Sequence, residues 1–152
     1  MARRFRFEGS WLVDAPPERV AAVLVDLAGY PAWWPEVVAV ASLGPDDARA
    51  LCRSRLPYTL DLVLHAESRE APELRVSVGG DLRGTVAWLV EPGSQGDTRL
   101  RLDQEVEVAG RLFGAVASVA GPLLRWNHEA MMRSGLAGLR RRLRTAAGSR
   151  GI

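Results

Sequence analysis

Between Ala48 and Val108 the chain alternates apolar and polar residues in one short run after another, and this period of two constrains its fold more than any other feature. The clearest run is Thr98 to Val108. Leu100, Leu102, Gln104, Val106 and Val108 fall on one side, and Arg99, Arg101, Asp103, Glu105 and Glu107 fall on the other. Successive side chains of a strand point to opposite faces, so such a run has one dry face and one wet face. The same reading gives strands over Ala48–Leu56, Thr59–Arg69, Leu74–Val78 and Leu82–Val90, and the apolar, β-branched run Val37–Leu43 reads as another. Gly44-Pro45-Asp46-Asp47 and Gly79-Gly80-Asp81 are turn chemistry. Connections this short join antiparallel neighbours. Residues 46–108 are therefore predicted to form five antiparallel strands, with Arg53, Glu67, Arg75, Arg101 and Glu105 in water.

A further strand precedes them. Phe5, Phe7, Gly9, Trp11 and Val13 share one side, opposed by Arg6, Glu8 and Ser10. Asp14-Ala15-Pro16-Pro17-Glu18 then reads as a helix start, with Asp14 or Ala15 near the cap and the prolines in the first turn. Val20, Val23, Leu24 and Leu27 follow at helical spacing, and Gly29 is expected to close that helix. Tyr30-Pro31-Ala32-Trp33-Trp34-Pro35 begins a second short helix or turn. Its adjacent tryptophans point about 100° apart if helical, so one can be buried while the other looks elsewhere.

A sheet with one dry face needs a cover, and the expected cover is the long C-terminal helix from Pro122 to Arg144. Pro122 suits a first turn, and Gly121 ends whatever precedes it. Glu129, Arg133 and Arg140 share the wet side of that helix; Leu124, Met131, Gly135 and Gly138 lie opposite, flanked by Asn127 and His128. Two glycines on an inner face are unusual, since each costs about 1 kcal/mol relative to Ala. They permit close backbone packing or they leave room for a ligand, and the sequence leaves both open.

Composition narrows the function. No apolar run is long enough to span a membrane, and Met1-Ala-Arg-Arg-Phe-Arg-Phe lacks the apolar core of a signal peptide, so a cytoplasmic protein is expected. A single cysteine, Cys52, and two distant histidines, His65 and His128, point to no metal site and no cofactor. From Arg111 onward eight arginines stand against one glutamate, whereas residues 1–110 hold twelve against seventeen acids. The basic cluster is short and no aromatics interleave with it, so it reads as complement to a helix C-terminus and no nucleic-acid partner is expected.

The order of strand, two short helices, six antiparallel strands and a long helix resembles the START/Bet v 1-like (SRPBCC) helix-grip superfamily, nearest its bacterial polyketide cyclase/dehydrase-like branch. Ala15-Pro16-Pro17-Glu18-Arg19-Val20, Asp26 with Tyr30–Pro35, and Trp126-Asn127-His128 carry the resemblance. It implies an α+β helix-grip fold in which a curved seven-stranded antiparallel sheet wraps the C-terminal helix around an elongated apolar cavity. One domain is expected over residues 1–146, with 147–152 a disordered tail.

The implied function is binding of a bulky hydrophobic or aromatic small molecule, such as a polyketide, lipid or quinone. The alternative is an aromatase/cyclase performing aldol closure and dehydration, with an acyl-carrier protein or a second copy of the chain as further candidate partners. Residues expected to contact ligand are Trp33, Ser54, Trp88, Gln104, Asn127, Met131 and Gly135. Gln104 stands among apolar neighbours and needs a partner, Asn127 or Ser54, because an unpaired buried amide costs about 1–3 kcal/mol. Candidate catalytic groups are His128, Ser54 and Arg55, although alternation puts Ser54 inside and both Arg53 and Arg55 outside. His65 falls on the outer face. Residues 110–121, glycine-interrupted and apolar, are expected to form a movable closure opposite Tyr30 and Trp33.

Overall fold

The computed structural model describes residues 3–53, 59–108 and 121–149. In chain order these form β1 (Arg3–Val13), α1 (Pro17–Val25), a 3-10 helix (Leu27–Ala32), β2 (Val37–Ser42), β3 (Asp47–Arg53), β4 (Thr59–Ser68), β5 (Glu73–Gly80), β6 (Leu82–Pro92), β7 (Thr98–Val108) and α2 (Gly121–Ser149). The strands make one antiparallel sheet in the order β1-β7-β6-β5-β4-β3-β2. Residues 46–108 do hold five antiparallel strands, and Arg53, Glu67, Arg75, Arg101 and Glu105 are all exposed.

The period of two sets the register. β1 pairs with β7 so that Phe7 lies opposite Gln104 and Gly9 opposite Leu102, and β6 pairs with β7 so that Trp88 lies opposite Leu102. The outer face carries cross-strand ion pairs such as Arg6–Asp103 at 3.3 Å and Arg49–Asp61 at 2.6 Å. Exposed pairs of this kind contribute little, about 0–1 kcal/mol each, but a one-residue slip would bury them. Gly84 has φ +153°, and a β-carbon there would overlap the carbonyl oxygen of Glu105; glycine at this point lets β6 bend tightly against β7.

Several local expectations need correction. The cap of α1 is Pro16, not Asp14 or Ala15, and it makes no side-chain hydrogen bond. Gly29 does not close α1. That helix ends at Val25, and Gly29 sits within the 3-10 helix, where its N–H donates to the Asp26 carbonyl at 3.1 Å. α2 begins at Gly121 and runs to Ser149, past Arg144 and into the stretch expected to be a disordered tail. Arginine and alanine are good helix formers, and the run Arg140 to Ala147 contains neither glycine nor proline to stop it. The segment 110–120, read as a closure, and Ser54 and Arg55 lie outside the described residues.

The cover is also shared. α1 packs over β5 and β6 with Val20 and Leu24 buried, so α2 is not alone on the dry face. The backbone of α2 comes near the sheet at few points and meets it through side chains. Its C-terminal half is held firmly: Leu139 and Leu143 are buried among Val13, Val90 and Leu100, and Arg140 donates to the Leu12 carbonyl at 3.0 Å. Arg19 of α1 donates to the Leu143 carbonyl.

The two inner glycines of α2 are occupied by tryptophan. A β-carbon at Gly138 would overlap the carbonyl oxygen of Trp33, and one at Gly135 would overlap the indole of Trp34. Close packing, rather than room for a ligand, explains both. Gly138→Ala is expected to lower stability by about 1–3 kcal/mol, although Ala is the better helix former by about 1 kcal/mol, because backbone would have to move. Urea unfolding midpoints of the two proteins check this. A midpoint equal to or above that of the parent would contradict the packing assignment.

Candidate functional site

Where the N-terminal half of α2 passes over the sheet, the side chains do not close the gap. A cavity of about 240 Å³ remains between them. Its floor is the inner face of the sheet, including Leu62, Leu64, Val76, Val86 and Leu102; its roof is Leu124, Asn127, His128, Met131 and Met132. Tyr30 and Trp34 close one side. An apolar cavity of about 150 Å³ already accepts benzene, so this space admits a larger body.

The polar groups are few and grouped. Gln104 on β7, flanked across the sheet by Phe7 and Val86, reaches up to α2. There the His128 Nε2–H donates to Gln104 Oε1 at 3.2 Å. Of the partners expected for Gln104, Ser54 lies outside the described residues, and the bond observed is to His128. The other end of the amide has no partner among the described residues. His128 is fixed on its flat side by Phe7, with ring centroids 3.7 Å apart and planes 11° from parallel. Asn127 is buried and donates to Met131 Sδ at 3.8 Å.

Burial, reinforced by the charge of Arg125, lowers the pKa of His128 to about 4. At neutral pH the ring is uncharged, with one nitrogen donating to Gln104 and the other an acceptor. Burial pushes the Cys52 thiol up to about 11, so it is a small apolar wall residue and a poor nucleophile. Among the described residues no cluster of His, Cys, Asp or Glu could hold a metal, and no arginine or carboxylate lines the cavity.

Of the residues expected to touch ligand, Trp88, Gln104, Asn127 and Met131 line the cavity, together with His128. Trp33 does not. It is buried in the core beside Tyr30, with ring centroids 4.7 Å apart. Gly135 also stands behind the wall, under the Trp34 indole. His65 is on the outer face, hydrogen-bonded to Asp47 at 2.8 Å. Trp34 was missed by sequence reasoning: the adjacent pair was recognised as split, but not which member faces inward. Its Nε1–H donates to the Met131 carbonyl at 3.0 Å, which turns the ring toward the cavity. Phe5 and Phe7 were assigned to the dry face of β1 without a role, and they too line the cavity.

The histidine makes stability depend on pH with a defined sign. Its folded pKa lies below the unfolded value of 6.5, so the unfolded chain binds the proton first. Stability is complete above about pH 6.5 and falls as pH drops toward about 4, by on the order of 3 kcal/mol for this group. His128→Gln is expected to flatten that slope. Unfolding midpoints at pH 7 and pH 4.5, compared between parent and variant, isolate it from the carboxylates. Parallel pH profiles would show that the ring is not buried as described.

The fold has known counterparts. Residues 4–144 match the model of the family described as polyketide cyclase / dehydrase and lipid transport. Among curated proteins no match is found. Among solved structures, TTHA0849 from Thermus thermophilus superposes with a TM-score of 0.74 at 23% identity, over 95% of this chain and 99% of that one. A START superfamily protein from Mycobacterium smegmatis gives 0.76 at 17% identity, over 93% and 98%. The Zhui aromatase/cyclase from Streptomyces sp. R1128 gives 0.73 at 16% identity, over 93% and 94%. At these identities the structures speak for the fold, and the match over nearly the whole chain speaks for the family: the chain belongs to the polyketide cyclase / dehydrase and lipid transport family.

Proposed function

We propose that the protein binds a bulky apolar or aromatic small molecule carrying at least one carbonyl or hydroxyl group, in the cavity between sheet and α2. The observation that carries this reading is the Gln104 amide. One end is held by His128, and the other lacks a partner among the described residues, in a space of about 240 Å³ whose remaining walls, among the described residues, are almost wholly apolar. Apolar walls with a few placed polar groups suit a ligand recognised mainly by burial and oriented by one hydrogen bond. The aromatic rings of Trp34, Trp88 and Phe7 favour a flat, conjugated body such as a polyketide or quinone.

A naphthyl ketone fluorophore and the corresponding alkylnaphthalene test this. Both are expected to bind, with a blue-shifted emission for the ketone. Gln104→Leu should weaken the ketone about tenfold and leave the hydrocarbon within about twofold, the difference expected for one buried hydrogen bond. Equal loss for both probes would remove Gln104 from recognition. No binding of either would remove the cavity as a ligand site.

A second reading, an aromatase/cyclase, is favoured by one observation: a neutral histidine stands in the cavity wall. With a pKa near 4, His128 could accept an α-proton from a poly-β-ketone at neutral pH, but it is a poor acid for the dehydration that must follow. Incubation with a linear 1,3,5-triketone is the direct test. Conversion to an aromatic product by the parent and not by His128→Gln would move the assignment from binding to catalysis.

A further inference from the structure

The space does not end at the wall of the first cavity. Leu27, Tyr30, Val40, Val76 and Trp88 line it, and the same five residues line a second cavity of about 310 Å³. The second lies where β2 turns into β3 and beside the start of β5, under the end of α1 and the 3-10 helix. Its cause is legible in the inner positions of that end of the sheet. These are Ser42, Ala48, Ala66 and Ser68, where the first cavity has leucine and valine. Side chains this short cannot reach the Leu24 and Ala28 that roof them.

The two cavities differ in chemistry. The second is rimmed by charged groups that already have partners: Arg69 pairs with Asp46, Arg75 with Glu67 at 3.2 Å and Glu73 at 3.1 Å, and Asp47 is hydrogen-bonded to His65 at 2.8 Å. A charged group entering there would gain no unpaired counter-charge. The hydroxyls of Ser42 and Ser68 donate to the carbonyls of Gly44 and Glu73, at 3.1 and 2.7 Å. Their oxygens remain acceptors, and an acceptor calls for a hydroxyl or amide donor.

We infer that the two cavities hold one ligand, an amphiphile with its apolar body in the first and an uncharged, hydroxyl-bearing end in the second. The inference rests on the binding reading of the first cavity. The shared wall has two fixed posts and a soft middle. Tyr30 is held by its hydroxyl, which donates to the Leu24 carbonyl at 2.6 Å, and Trp88 is buried. Leu27, Val40 and Val76 are aliphatic and half-buried, and a change of rotamer at Leu27 is a small motion that opens a passage between the posts.

The test is a chain-length series of n-alkanols, hexanol to dodecanol, displacing the naphthyl ketone fluorophore from the parent and from two variants that fill the second cavity. Ala66→Leu fills it from the sheet. Ala28→Trp fills it from an exposed position on the 3-10 helix, where folding is little at risk. In the parent, affinity should rise about fourfold per methylene through the series. In both variants hexanol should bind as in the parent, and the rise should stop at a shorter chain. The alkanoate matching the best alkanol should bind the parent roughly tenfold or more weakly, since it would be dehydrated beside arginines that already have carboxylate partners. Variants that follow the parent at every length, or an alkanoate equal to its alkanol, would overturn the two-cavity ligand while leaving the first cavity intact. A fluorophore that does not bind at all would overturn the reading of the first cavity and this inference with it.

Discussion

The close approach of Trp33 and Trp34 to the bare backbone of α2 is the contact on which the rest of this structure depends. The two indoles stack with centroids 5.6 Å apart and planes 22° from parallel, and Tyr30 joins them. They pack where Gly135 and Gly138 leave no side chain in the way. The consequence is a division of labour along one helix. C-terminal to the glycines, Leu139 and Leu143 enter a filled core. N-terminal to them, the helix is held away from the sheet by the same tryptophans, and side chains alone cannot fill what lies below. The Trp34 indole belongs to both halves, because its N–H fixes it to Met131 while the ring forms cavity wall.

A gap of this size costs dispersion contacts that a filled core would make, roughly in proportion to its volume. The curvature of the sheet sustains that loss. Gly84 allows β6 to bend over β7, and the small residues at the far end of β2, β3 and β4 extend the hollow under α1. Stability comes instead from the solid end, where Val13, Val20, Val90, Leu100 and Thr98 are almost fully buried.

The electrostatics agree with that division. On the outer face, ion pairs are exposed and exchange readily with water, so they fix register and solubility more than stability. Inside, the polar groups among the described residues are few and uncharged, and the histidine among them is held neutral by burial. A neutral lining neither attracts ions nor requires them. It discriminates by shape and by where a single hydrogen bond can form.

How much of this could be read beforehand differs by level. Period-two alternation assigned the inner and outer faces of the described strands other than β2, because a register slip would expose one whole face and bury the other. It therefore placed Trp88 and Gln104 inside and His65 outside. Helical periodicity placed Asn127, His128 and Met131 on the covered side of α2 for the same reason. The partner of Gln104, the inward turn of Trp34 instead of Trp33, and the use of both glycines as seats for tryptophan were not legible. Each depends on how far apart two elements lie, and the local sequence of neither element encodes that distance. The period of the chain determined which residues face inward; the spacing set by tryptophan against glycine decided which of them touch one another and which face an open cavity.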